Sequence, residues 1–130
     1  MITAVFTDNS DYTRATGLWQ WDYGQKLRIE GLTLPTAVEI HFALTEQSGD
    51  AITRVGTTKD GVTEVAIPDS LLENQAVSAS YAIYAWIYLA DKTSGETVKR
   101  ISVWVKCRPK PEGFDAPGDA ELFRDAIAQV

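Results

Sequence analysis

The sequence predicts an all-β domain, an antiparallel sandwich or barrel, followed by a Pro-rich linker and the start of a short C-terminal α-helix. Three observations lead there. Apolar and polar residues alternate with a period of two between Leu18 and Cys107, turn residues interrupt that alternation at short intervals, and helical spacing of apolar residues begins only near Asp119. A chain of 130 residues fits one domain and buries about two-thirds of its unfolded surface. With 45% hydrophobic and 23% charged residues its usage is that of a globular chain.

The strands follow in order. Leu27 and Ile29 flank Arg28 in a short alternating run. In Ala37 to Leu44, Val38, Ile40, Phe42 and Leu44 fall on one face, and Glu39 and His41 on the other, as in a strand with one wet side. Ser48-Gly49-Asp50, Lys59-Asp60-Gly61 and Thr93-Ser94-Gly95 tolerate positive φ, so each can close a hairpin. Ile67-Pro68-Asp69-Ser70-Leu71-Leu72 follows a strand with a proline that cannot pair and an Asp and Ser that can cap, which predicts one helical turn. Ser80 to Ala90 and Thr97 to Cys107 are the strongest strands. In the second, Ile101, Val103, Val105 and Cys107 alternate with Arg100, Ser102, Trp104 and Lys106. In the first, Ile83, Ile87 and Leu89 form the aliphatic side, and the side that would ordinarily be polar carries Tyr84, Trp86 and Tyr88.

The alternation stops at Arg108-Pro109-Lys110-Pro111-Glu112-Gly113, where proline removes ladder donors and favours an extended path. The expected division is therefore a β domain over 1–108, a linker over 109–118 and a helix from 119 to 130. Asp119 and Glu121 suit a first helical turn, and Phe123, Ala126, Ile127 and Val130 recur at three- and four-residue spacing. No Gly, Asn or basic residue ends this stretch, so it reads as part of a longer helix, a truncated coiled-coil stalk in which Leu122, Phe123, Ile127 and Val130 are the candidate oligomerisation residues.

Charge and residue inventory narrow the function. A net charge of −6 repels phosphate backbones and anionic lipid, so neither nucleic acid binding nor membrane insertion is expected. The N-terminus has neither the cationic nor the long apolar region of a signal peptide. Cys107 is the lone cysteine, which leaves no intrachain disulfide, CxxC zinc site or redox pair. His41 is the lone histidine and falls mid-strand on a polar face, where it reads as a surface residue. Asp22, Glu30, Glu39 and Glu64 could supply paired carboxylates, yet they alternate with core positions and read as solvated faces. Gly17, Gly24 and Gly31 are too widely spaced for a phosphate cradle. No enzymatic activity, cofactor or metal is expected.

The aromatic residues stand above this background. Trp19, Trp21 and Tyr23 are expected to alternate along one strand, and Tyr84, Trp86, Tyr88 and Trp104 to share the outward faces of two neighbours. Three roles are open to them: core under a covering segment, anchors of a protein interface, or platforms that stack on sugar rings beside Arg100, His41 or Asp22.

Three stretches carry a resemblance: Gly17-Leu18-Trp19-Gln20-Trp21-Asp22-Tyr23-Gly24-Gln25, Ile67-Pro68-Asp69-Ser70-Leu71-Leu72-Glu73 and Arg108-Pro109-Lys110-Pro111-Glu112. Together with the Tyr- and Ile-rich strand and the acidic start of the last helix, they resemble the N-terminal domain of tail and baseplate proteins, of the upper baseplate kind, from phages and prophages of Gram-positive bacteria. The resemblance covers nearly the whole chain and implies a β-sandwich head on an oligomerising stalk, without catalytic residues. Joined to the strand pattern, it gives as the expected fold an immunoglobulin-like β-sandwich. The expected function is attachment in a phage tail or baseplate: made in the bacterial cytoplasm and carried on the virion, the domain docks to neighbouring tail proteins and, through the helix, to sister chains in a homotrimer. Trp19, Trp21, Tyr84, Trp86, Tyr88 and Trp104 are the candidate interface residues. The alternative is a carbohydrate-binding module that meets cell-wall glycans through the same rings.

Overall fold

Each predicted hairpin closes where the backbone can turn. Asp60 and Gly61 both take positive φ, 53° and 79°, as a two-residue turn matched to strand twist demands. At the last hairpin the Asp91 carboxylate accepts hydrogen bonds from the backbone N–H groups of Thr93 and Ser94 and from the Thr93 hydroxyl. The computed structural model describes residues 1–7, 9–74, 77 and 79–114. Its strands are β1 (Ile2–Val5), β2 (Tyr12–Trp19), β3 (Lys26–Glu30), β4 (Ala37–Ala43), β5 (Ile52–Lys59), β6 (Val62–Ala66), β7 (Tyr81–Ala90) and β8 (Gly95–Lys106), with a 3-10 turn at Asp69–Leu72 where the helical turn was expected. The helix expected over 119–130, with Leu122, Phe123, Ile127 and Val130, lies outside the described residues.

The body is all-β. Its strands hydrogen-bond into one sheet in the order β1-β3-β6-β5-β4-β7-β8-β2, which curls into a near-closed barrel. At the seam the two edge strands face each other: the Thr13 hydroxyl donates to the Val5 carbonyl at 2.9 Å, and Gly17 on β2 lies against the Ile2 side chain. The outermost pairings, β1 with β3 and β2 with β8, are parallel, a correction to the purely antiparallel expectation. The reason lies in the first nineteen residues, whose strands the alternation from Leu18 onward did not include. β1 runs beside β3, the chain reverses, and β2 comes back beside β8.

The inward positions are those the alternation marks. Leu27, Ile29, Val38, Ile40, Phe42, Ile83, Ile87, Ile101, Val103 and Val105 are buried in one cluster, joined by Ile2, Ala4, Ala15 and Leu18 from the unforeseen strands. Cys107 is half-buried past the end of β8. Each fully buried aliphatic side chain stabilises by about 1.5–3 kcal/mol. β5 pairs with β4 from Ile52 to Thr57 and with β6 only from Thr57 to Lys59, so it hands the sheet over from one half to the other. The 3-10 turn then carries the chain from β6, in one half, to β7 in the other; it buries Leu71 and Leu72.

The first part of the Pro-rich segment is packed. Phe114 is buried and meets the Trp21 ring edge-on at 5.5 Å between centroids, while the Trp21 indole N–H donates to the Arg108 carbonyl at 3.2 Å. Residues 108–114 thus form a strap across one end of the barrel.

Candidate functional site

On the outer surface of β4, β7, β8 and β2, strand register lines up side chains in rows. One row runs His41, Trp86, Arg100, Tyr12; the next runs Ala43, Tyr84, Ser102, Arg14. Ala82 and Trp104 are paired in the row below, and Trp19 is paired with Lys106 further down β8. Since side chains alternate across a strand, these groups all point away from the core that Ile83, Ile87, Ile101 and Val103 fill. Of the six candidate interface residues, Tyr84, Trp86, Tyr88, Trp104 and Trp19 are brought together here.

Trp104 and Trp19 keep 43% and 44% of their surface exposed, which decides against the core role for both. Tyr84, Trp86 and Tyr88 are half-buried by their neighbours on the same face. Tyr84 and Trp86 lie 6.1 Å apart between ring centroids, and Tyr88 packs on the His41 ring at 4.7 Å. Lys106 sits 5.1 Å from the Trp19 ring as a cation–π pair.

Trp21 is not on this face. β2 ends at Trp19, and Trp21 takes φ 73°, swinging its ring onto the barrel end, where it is 6% exposed. The expected alternation of Trp19, Trp21 and Tyr23 along one strand is therefore corrected: the backbone turns at Gln20, with the Asp22 N–H donating to the Trp19 carbonyl and the Asp22 carboxylate accepting from the Trp19 N–H. Tyr23 packs with Trp21 and Phe114.

The face is dented at one place. Large Tyr84 and Trp104 occupy one diagonal of the register and small Ala82 and Ser102 the other. A bulge between Ala15 and Leu18 takes β2 out of regular pairing beside Trp104. The outcome is a shallow groove of about 410 Å3 lined by Tyr12, Arg14, Tyr84, Ser102, Trp104 and Glu46, among others. Tyr12 stands between two guanidiniums. Arg14 Nε donates to its phenol oxygen at 2.8 Å, and the Arg100 guanidinium lies 4.8 Å from its ring centroid. The Ser102 hydroxyl hydrogen-bonded to the phenol oxygen holds the Tyr12 phenol below the usual tyrosine range, with help from Arg14 and Arg100 and against the opposing effect of burial. Arg100 is itself paired with Glu46 at 3.3 Å.

Sequence reasoning passed over Tyr12, Arg14 and Glu46. The first two lie in a strand with few aliphatic residues, Tyr12-Thr13-Arg14-Ala15-Thr16, whose β-favouring Tyr and Thr were the available signal. Glu46 projects from the β4–β5 loop, and nothing in its local sequence marks it.

The carboxylates and the histidine are spread out. Glu30 lies 3.7 Å from Arg28, Glu39 is 2.6 Å from His41 Nε2, Asp22 closes the turn after Trp19, and Glu64 is on β6. Among the described residues, no three His, Cys, Asp or Glu side chains are grouped to hold a metal ion.

Compared with protein-family models and with curated protein sequences, the chain matches none.

Proposed function

We propose that the chain is an attachment domain, which docks through the outer surface of β4, β7, β8 and β2 onto a neighbouring structural protein. The observation that carries this is the composition of that surface: two tryptophans more than two-fifths exposed, three more aromatic rings half-exposed beside them, and Arg14, Arg100 and Lys106 interleaved. Trp, Tyr and Arg are the residues that anchor protein interfaces, and an aromatic surface of this breadth is a liability on a chain with no partner. The resemblance to phage tail and baseplate proteins supplies the setting, assembly on a virion, in which residues 119–130 would join sister chains as a trimer and multiply weak contacts by avidity.

Strand order supports the immunoglobulin-like side of this reading. With β1, β3, β4, β5, β6, β7 and β8 in the places of strands A to G, the halves β1-β3-β6-β5 and β4-β7-β8 follow the order of the A-B-E-D and C-F-G rows of such a sandwich, from which the parallel pairing of β1 with β3 and the added β2 beside β8 depart. β5 then serves as the strand that changes sheets, which keeps both halves hydrogen-bonded.

Co-expression with the proteins encoded by adjacent genes, followed by size-exclusion chromatography, tests the reading. A complex is expected with at least one of them, and Trp19→Ala or Trp104→Ala is expected to weaken it by at least about tenfold, as for interface anchors. No complex with any neighbour, or complexes indifferent to both substitutions, would refute docking through this face. A second reading, glycan binding, is favoured by one feature: the groove sets an exposed indole beside the Arg14 guanidinium and the Ser102 hydroxyl. Glycan-array binding lost on Trp104→Ala, with folding retained, would put that reading first.

A further inference from the structure

The groove beside Trp104 differs in charge from the rest of the chain. The protein carries a net −6, yet the face around the groove presents Arg14 and Lys106, besides an Arg100 that is paired with Glu46 at the groove. Three basic groups of the barrel are neutralised within the chain: Arg28 by Glu30 at 3.7 Å, Lys99 by Asp11 at 3.3 Å and Arg100 by Glu46 at 3.3 Å. Arg14 has no acidic partner among the described residues. Its Nε is spent on the Tyr12 phenol oxygen at 2.8 Å, which fixes the plane of the guanidinium and leaves the two terminal nitrogens free at the groove. A guanidinium held by one hydrogen bond, with two parallel donors unused, is pre-set for a carboxylate, because the fork matches the two oxygens and little side-chain freedom is left to lose.

We propose that this corner receives a carboxylate from an acidic segment of the protein docked on the face, seated on the terminal nitrogens of Arg14, with the adjoining part of that segment lying on Trp104. The proposal rests on the docking reading above and names the partner's chemistry. Breadth favours a protein segment over an acidic sugar: the aromatic surface continues from the groove to Trp86 and Tyr88 on one side and to Trp19 with Lys106 on the other, well past the 410 Å3 that one or two sugar units would fill. Lys106 extends the positive potential along the same line, so an acidic stretch would meet favourable charge beyond the first carboxylate.

The test uses the whole chain with three probes followed by fluorescence anisotropy: a labelled Glu-Glu-Leu-Glu-Glu peptide, its counterpart with Gln in place of Glu, and labelled trigalacturonate. At low salt the Glu peptide is expected to bind about tenfold more tightly than the Gln peptide, as a charge-assisted bidentate contact provides. Arg14→Ala is expected to abolish that preference, Arg14→Lys to keep part of it, and ionic strength near that of physiological buffer to reduce it. Equal binding of the two peptides, or a preference that survives Arg14→Ala, would overturn the proposal. So would Arg14-dependent binding of trigalacturonate that is tighter than that of the Glu peptide, which would assign the corner to a glycan. An independent readout is the phenol of Tyr12: a carboxylate on Arg14 offsets the charge that favours the phenolate, so its titration, followed by ultraviolet absorbance, is expected to move upward when the Glu peptide binds wild type and to be indifferent to the peptide in Arg14→Ala; no movement in wild type at saturating peptide would overturn the proposal. If the complex of the preceding subsection breaks on Trp19→Ala and Trp104→Ala yet is untouched by Arg14→Ala, docking stands and the carboxylate subsite falls.

Discussion

Replacing Trp21 with alanine is expected to release the strap while leaving the barrel folded. The strap, residues 108–114, is held by few contacts: the Trp21–Phe114 ring pair, the indole N–H to the Arg108 carbonyl, and Lys110 at 5.5 Å from the Trp21 ring. Burying the two rings contributes about 2 kcal/mol each. The edge-on pair adds about 1 kcal/mol, the hydrogen bond about 1 kcal/mol and the cation–π contact about 0.5–1 kcal/mol. Against this, ordering a segment of this length costs about 1 kcal/mol per residue, somewhat less at Pro109 and Pro111, which have little freedom to lose. The two sides nearly cancel, so the strap is closed by a margin of a few kcal/mol at most, and Trp21 takes part in each of these closing contacts except the burial of Phe114 itself. Trp21→Ala therefore tips the strap open.

Limited proteolysis reads this directly, provided the protease suits the sequence. Trypsin is a poor probe because Arg108 and Lys110 are each followed by proline. Cleavage after Glu112 by a glutamate-specific protease, or after Phe114 by chymotrypsin, is expected to accelerate by at least about tenfold in the variant, the consequence of losing upwards of 1.4 kcal/mol of protection. Circular dichroism and urea unfolding should meanwhile show an intact barrel, because the twenty-residue core cluster does not include Trp21 or Phe114. Unchanged cleavage rates at both bonds would refute the balance drawn above.

Two further outcomes follow from the fold. Burial pushes the Glu73 carboxyl up, with the Asp69 charge adding and Lys110 opposing, and its Oε1 is buried without a hydrogen-bond partner among the described residues. A folded pKa above the unfolded one favours folding only while the group is protonated, and that contribution is lost as pH rises through the folded pKa. Glu73→Gln is therefore expected to raise the urea midpoint at pH near 7, with the gain shrinking as pH falls to about 4; a gain equal at both pH values would refute the cause. Gly31 has φ 91°, and a Cβ there would collide with the Phe6 carbonyl oxygen on the neighbouring chain segment, whereas Gly24, also at positive φ, has open space around it. Gly31→Ala is expected to cost at least about 2 kcal/mol and Gly24→Ala about 1 kcal/mol; equal losses in thermal denaturation would show that backbone conformation alone, and not the close approach, sets the penalty.

What the sequence made legible was whatever a period of two can carry. β4, β7 and β8 were readable because Val38-Ile40-Phe42, Ile83-Ile87 and Ile101-Val103-Val105 mark one face unambiguously, and the first two hairpin turns because Gly49 and the Asp60-Gly61 pair supply positive φ, whereas the last turns on the Asp91 carboxylate with Gly95 already in β8. The outward position of Tyr84, Trp86, Tyr88 and Trp104 followed from the same parity. β1 and β2 were not readable with equal ease. β1 is four residues long, and in β2 the inward positions Ala15 and Leu18 are separated by a bulge that breaks the period. Closure of the sheet depends on where these edge strands pair, which no local pattern specifies. The groove was invisible for the same reason, since Arg14 and Tyr12 reach Ser102 only through the parallel pairing of β2 with β8.

Trp21 shows where a local rule gives way and why. A tryptophan at positive φ stands in a left-handed conformation that costs about 1–2 kcal/mol for a side chain with a Cβ. The cost is met by fixed contacts on both sides: the Trp21 backbone N–H donates to the Leu72 carbonyl at 2.8 Å, and its indole N–H donates to Arg108. The strain separates two rings that strand geometry would have placed together. Trp19 stays on the outer face with Lys106, and Trp21 is turned to hold the strap. One consequence is mechanical. Because the Gln20 N–H donates to the Lys106 carbonyl, the turn at Gln20 is anchored to the end of β8 that carries Trp104, and the strap, which begins two residues after β8, starts beside the docking face. A partner bound there would lie close to the strap, and opening the strap with Trp21→Ala would loosen that relation without altering a single residue of the face.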